Sequence, residues 1–147
     1  MFCAGHASKA SACSVPGTLQ QNVVIGRHRL TTDQPVRLGG EDTGPAPHEL
    51  LPAALAACIA VTLATYARTK QWDLGEMVVD VDYDNRSVPR RFDIDISLSG
   101  EITDEQLARL SKVAKACPLR RSIEAGFEFH EDLAVRAAAR TAAASGV

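Results

Sequence analysis

The sequence predicts a mixed domain in which antiparallel strands and shorter helices pack around one long apolar helix. Three observations lead to it. The stretch from about Pro47 to Thr69 is almost wholly apolar and rich in alanine. Residues 77–84 and 92–98 alternate apolar side chains with aspartate or serine, the two-residue period of strands with one face on a core and one in water. From Thr103 onward the apolar spacing becomes helical again, behind a capping signal. A helix that is apolar on every side must be buried on every side, so the other elements are expected to wrap it.

At 147 residues the chain has room for one domain with a sizeable core. Only 5% of residues are aromatic, so that core must be built from Ala, Val, Leu and Ile. A net charge of -2 gives no electrostatic footprint for nucleic acid or an anionic membrane. The four cysteines, at positions 3, 13, 58 and 117, form no CxxC pair. That spacing points away from structural zinc, and the lack of a disulfide framework or secretion signal points to the reducing cytoplasm. The first fifteen residues hold no apolar signal-peptide core.

Taken in order, residues 1–15 (MFCAGHASKASACSV) are small and without a period, and read as a flexible leader. Cys3, His6 and Cys13 lack a fourth partner for a metal. Residues 16–136 read as a single domain and 137–147 as an Ala-rich tail. Gln20 to Ile25 ends in a β-branched run, Gly26 offers a turn and His28 to Thr32 can return as a second strand. Leu38 to Pro47 is a Gly- and Pro-rich loop. Pro47 suits the first helical turn and Glu49 complements the helix dipole, while Pro52 is expected to bend the first turns. Leu51, Leu55, Cys58 and Thr62 are spaced to share a face. The uncharged run from Leu50 to Ala67 is long enough to cross a membrane, but its alanine, threonine and proline content and its flanks suit a soluble core helix better. The acidic row of Asp80, Asp82, Asp84, Asp93 and Asp95 reads as a solvated outer face. Thr103 with Gln106 makes the capping box, and Leu107, Leu110, Val113 and Ala114 form an apolar stripe. Pro118 opens a short helix ending at Gly126, and Phe127 to Val135 reads as a last strand.

Two isolated cysteines are the candidate chemistry. Cys58 lies mid-helix, where a cysteine most often serves as a small hydrophobe. Cys117 precedes a helix start with Arg120 and Arg121 in its first turn, and both features favour a thiolate. If the two meet, one thiolate can attack an oxidant and the other can close a disulfide. Peroxide reduction also needs a cation and an apolar pocket. Arg37 is a candidate cation, Glu49 could orient it or merely cap the helix, and His48 could be a base or solvent-facing.

The segments VRLGGEDTGPAPHELLPAALAAC, YARTKQW and KACPLRRSIEAG, in that order, resemble the OsmC/Ohr family of thiol-dependent peroxidases over roughly residues 18–135. The resemblance implies an α+β fold, with antiparallel sheets wrapped around long central helices in an intertwined homodimer with shared active sites. It matches Cys58 to the peroxidatic cysteine, Cys117 to the resolving cysteine and Arg37 to an arginine that contacts the reactive thiol. It implies reduction of organic hydroperoxides with neither metal nor bound cofactor, and a lipoylated protein or small thiol as reductant. The chain departs from the family at the glutamate ten residues before the cysteine, where His48 stands with Glu49 beside it, and at Ile59 and Pro52. It looks like a divergent OsmC-like member. Two other readings of the residues are a non-catalytic dimer that binds an apolar small molecule, and a thiol hydrolase using Cys58 and His48.

Overall fold

Alternation sets the central hairpin. In the computed structural model, which describes residues 9–134, β4 (Met77–Asp84) and β5 (Arg91–Leu98) pair antiparallel in the register Val79↔Ile96, Val81↔Ile94 and Tyr83↔Phe92. Met77, Val79, Val81, Phe92, Ile94 and Leu98 turn one face onto the core, and Tyr83 stacks on Phe92 at 4.7 Å. That face lies against α1 (Leu50–Lys70), which also packs on α2 (Asp104–Lys115) and α3 (Pro118–Ala125). The core is the stripe Leu55, Ile59, Leu63 and Ala67 of α1, closed by Leu74, Leu110, Ala114 and Cys117.

Asp80, Asp82, Asp93 and Asp95 do face water, whereas Asp84 is half-buried at the turn, and the register puts two pairs directly opposite, Asp80↔Asp95 and Asp82↔Asp93. Only Asp93 has an ion-pair partner among the described residues, Arg91 at 2.8 Å. Like charges directly opposite across a ladder destabilise it. Asp80→Asn is therefore expected to stabilise the domain by about 0.2–1 kcal/mol, less at high salt. Urea unfolding at two ionic strengths checks this.

The expected hairpin near the start is present as β2 (Gln21–Ile25) and β3 (His28–Thr32), turned at Gly26 with φ 60°. A third strand precedes it. β1 (Ala10–Ser14) pairs along β2 from Ala10↔Ile25 to Ser14↔Gln21, so part of the stretch expected to be a flexible leader is strand. Its side chains are all exposed, so backbone hydrogen bonds alone define it, and no hydrophobic pattern could announce it. Residues 1–8 and the tail 137–147 lie outside the described residues.

Three expectations need correction. Pro52 does not interrupt the helix, because a 3-10 turn at Pro47–Glu49 precedes α1 and Pro52 is only its third residue. There the missing N–H is one of the four that no helix satisfies internally. Residues 127–134 form no strand, because no strand edge among the described residues pairs with them; Phe127 and Phe129 are exposed, and Val135 lies outside the described residues. The burial of α1 is also one-sided. Val61 is 65% exposed and Leu51, Ala54 and Ala57 face outward with it. By length and composition α1 could cross a membrane, but its inner stripe is packed as the core helix of this domain.

Candidate functional site

The loop from Gln34 to Pro47 is tied in place by Asp33, a residue with no assigned part in the sequence analysis. Asp33 is 1% exposed. Its Oδ1 accepts the Gln34 N–H at 2.8 Å, and its Oδ2 accepts the Glu41 N–H at 2.9 Å, the Thr43 N–H at 3.3 Å and the Thr43 hydroxyl at 3.1 Å. Burial pushes the carboxyl's pKa up, but the converging N–H donors outweigh it and hold it below the ordinary aspartate value. Two glycines let the loop close. A Cβ at Gly40 would overlap the Gln34 carbonyl, and one at Gly44 the Thr31 carbonyl. A carboxyl with a depressed folded pKa contributes stability above its unfolded value and loses that contribution as pH falls through the folded one. The Glu41 and Thr43 amides are thus expected to lose hydrogen-exchange protection on acidification, ahead of the core helices. Asp33→Asn should show the same loss already at neutral pH.

This loop carries Arg37 in an exposed 3-10 turn, Val36–Leu38. The Arg37 side chain makes no ion pair or hydrogen bond among the described residues. Glu49 is engaged in capping: its Oε2 accepts the Ala46 N–H at 2.8 Å, the local role of an acid at a helix start. His48 is exposed beside it. The chain therefore forms no Arg37–Glu49 ion pair.

The cysteines do come together. Cys58, on the third turn of α1, is half-buried, and Cys117, the residue capping α3, is wholly buried. Burial pushes the Cys58 thiol above its ordinary value, and Cys117, its direct neighbour, adds to the rise as a hydrogen-bonding group and as a like charge. The Leu119 backbone N–H and the Thr62 hydroxyl pull the other way without prevailing. Leu119 is the second residue of α3, so its N–H is one of those the helix leaves free, and it lies where it favours a Cys58 thiolate. The Thr62 hydroxyl also donates to the Cys58 carbonyl one turn back, at 2.7 Å. Neither group was singled out for chemistry from sequence. The Cys117-Pro118 helix start was the signal for the first of them.

Of the two arginines after Cys117, Arg120 pairs with Glu124 one turn on at 2.8 Å, and Arg121 is exposed. Arg120 also edges an apolar cleft of about 350 Å³ between α1, β5 and α2, walled by Ile59, Leu63, Ile94 and Leu110. Neither Cys58 nor Cys117 lines that cleft. Among the described residues, the two adjacent thiols have a helix N–H to steady developing charge, but no cation acts on Cys58.

Residues 39–132, well over half the chain, match the family model described as OsmC-like protein. Among curated proteins none matches. Solved structures similar to this one include the OsmC like protein from Mycoplasma pneumoniae, at TM-score 0.68 and 16% identity over 81% of this chain and 88% of that one. Another is an organic hydroperoxide resistance protein OsmC from Legionella pneumophila, at TM-score 0.56 and 22% identity over 82% and 90%. A third is the organic hydroperoxide resistance protein OhrB of Bacillus subtilis, at TM-score 0.51 and 20% identity over 79% and 89%. Together with the α+β arrangement of antiparallel sheets and a long central helix, these findings place the fold. The chain belongs to the OsmC-like protein family.

Proposed function

We propose that this protein is a thiol-dependent peroxidase that reduces organic hydroperoxides through Cys58 and Cys117. The observation that supports it most is the contact of the two thiols, Cys58 half-exposed and Cys117 buried behind it, at the free N–H of α3. Two of the solved relatives named above, both hydroperoxide resistance proteins, support the substrate class. The Cys58 thiolate attacks the distal peroxide oxygen and the O–O bond breaks. The alkoxide leaves and takes a proton to become the alcohol, and Cys58 becomes a sulfenic acid. The Cys117 sulfur then attacks the Cys58 sulfur; water leaves and a disulfide forms. A dithiol, either a lipoylated protein or a small thiol pair, restores both cysteines and is itself oxidised.

Activation of Cys58 calls for a cation, and none among the described residues of the same chain acts on it. The outward face of α1 at Val61, with the exposed Phe127 and Phe129, is apolar surface of the kind that a second copy covers. A homodimer would bring Arg37 of one copy to Cys58 of the other, where a guanidinium can hold thiolate and peroxide oxygen together. In that assembly Glu49 is a capping residue rather than the partner of Arg37. The cytoplasm, where thiols are kept reduced, is the compartment that suits the cycle.

Treating the full chain with an equimolar organic hydroperoxide and mapping its disulfides by mass spectrometry tests the cycle. A rapid, stoichiometric Cys58–Cys117 disulfide is expected, with steady turnover once dihydrolipoamide is added. Slow and partial oxidation, no faster than that of exposed Cys13, would leave the non-catalytic module as the better account. The apolar cleft beside α1 favours that second account, as a place for an uncharged ligand.

A further inference from the structure

We infer that the cleft between the last turn of α1 and the outer face of α2 is a binding site for a small polyanion, a molecule carrying two or more phosphate or carboxylate groups. The cleft encloses about 690 Å³, within the range of small-molecule sites. Lys70, Arg109 and Lys112 line it against a single carboxylate, Glu105. None of these three cations forms an ion pair among the described residues, in a chain whose net charge is -2. Positive charge is gathered here and left uncompensated.

It is also oriented. Arg109 Nε donates to the Tyr66 hydroxyl at 2.9 Å, and its guanidinium carbon lies 5.7 Å from the Tyr66 ring centre. Lys70 Nζ lies 6.0 Å from the same ring, which Trp72 braces edge-on at 5.7 Å and 76°. Tyr66 thus fixes two of the three charges through a hydrogen bond and cation–π contact. With Nε committed to the phenol, the terminal nitrogens of Arg109 remain as a fork that suits phosphate or carboxylate oxygens. Lys112 follows Arg109 by three residues, on the same face of α2. Lys70 and Lys112 also complement the dipoles of the helices they end. That role accounts for neither the mid-helix Arg109 nor its bond to a tyrosine. A monoanion gains little from exposed cations one at a time, so the ligand that fits must meet several at once.

Tyr66 is eight residues beyond Cys58, roughly 12 Å along α1 at the helical rise. The site is therefore separate from the thiols, and the inference stands apart from the peroxidase reading.

Trp72 is the only tryptophan of the chain and lines the cleft, so its fluorescence reports occupancy directly. The full chain is titrated at constant ionic strength with pyrophosphate and, separately, with citrate, and calorimetry confirms the stoichiometry. Saturable binding of one or both at about millimolar affinity or tighter is expected. Arg109→Gln and Lys112→Gln are each expected to weaken it about tenfold, while Arg27→Gln, in the β2–β3 turn, leaves it unchanged. The stronger probe tells phosphate from carboxylate. Lys112 makes no side-chain hydrogen bond among the described residues, so its substitution tests the site even if Arg109→Gln unsettles Tyr66. A response that never saturates, or that is the same in wild type and Lys112→Gln, overturns the inference.

Discussion

Cys58→Ser is expected to abolish hydroperoxide reduction, lowering turnover about a thousandfold or more, because in the proposed cycle the Cys58 sulfur is the atom that accepts the peroxide oxygen. Cys117→Ser separates the two thiols' roles. It should still consume one equivalent of hydroperoxide per chain, stop as the Cys58 sulfenic acid, and trap with a sulfenate-specific reagent. The pH dependence follows from the site. Burial and the neighbouring thiol hold Cys58 above the usual cysteine value in the single chain. Its thiolate should therefore form only as pH rises past that value, unless a cation is brought up. Arg37→Gln is accordingly expected to shift the pH profile of Cys58 alkylation to higher pH, leaving the Cys58–Cys117 contact intact. Equal hydroperoxide consumption by wild type and Cys58→Ser would end the peroxidase proposal. An unmoved alkylation profile in Arg37→Gln would remove Arg37 from it.

What the sequence made legible is what depends on neighbours along the chain. The β4–β5 alternation is a property of successive side chains, and the structure repeats it except at Asp84, which is half-buried, and Ile96, which is exposed. The capping box at Thr103 and Gln106 closes within one turn, with Gln106 N–H to Thr103 Oγ1 at 3.2 Å and Thr103 N–H to Gln106 Oε1 at 2.9 Å. The features that escaped depend on groups distant in sequence or outside the chain. β1 is held by main-chain bonds to β2 and has no buried side chain to mark it. Asp33 organises a loop through amides eight and ten residues away, and no local pattern carries that. Pro52 lies third in α1, not about five residues in, because the 3-10 turn at Pro47–Glu49 has no sequence signal that separates it from the helix it precedes. At the site, two cysteines in separate motifs were enough to suggest a pair, and the fold does set them side by side. Whether Glu49 orients Arg37 or caps the helix is left open by the sequence; the fold has it cap, with Arg37 in solvent.

The two faces of α1 provide the sharpest remaining contrast. Leu63→Ala is expected to cost about 2–5 kcal/mol of stability, because Leu63 is 1% exposed in the core and its truncation leaves a cavity there. Urea unfolding measures this. Two residues earlier, Val61→Asp should behave differently. In a lone chain a substitution at a 65% exposed position costs within about 0.5 kcal/mol. In a homodimer that buries this face, it places a carboxylate against apolar surface at both copies and should drive dissociation. The expected result is a wild-type dimer by sedimentation and a folded Val61→Asp monomer with native circular dichroism. Peroxidase turnover should fall with the dimer, because the cation for Cys58 would then be missing. A Val61→Asp protein that stays dimeric would show that this face is not the interface. One that turns monomeric with full activity would show that each chain completes its own site. On the homodimer proposal the uncharged run from Leu50 to Ala67 has a specific cause: one face builds the chain's core, and the other would be kept apolar for a second copy.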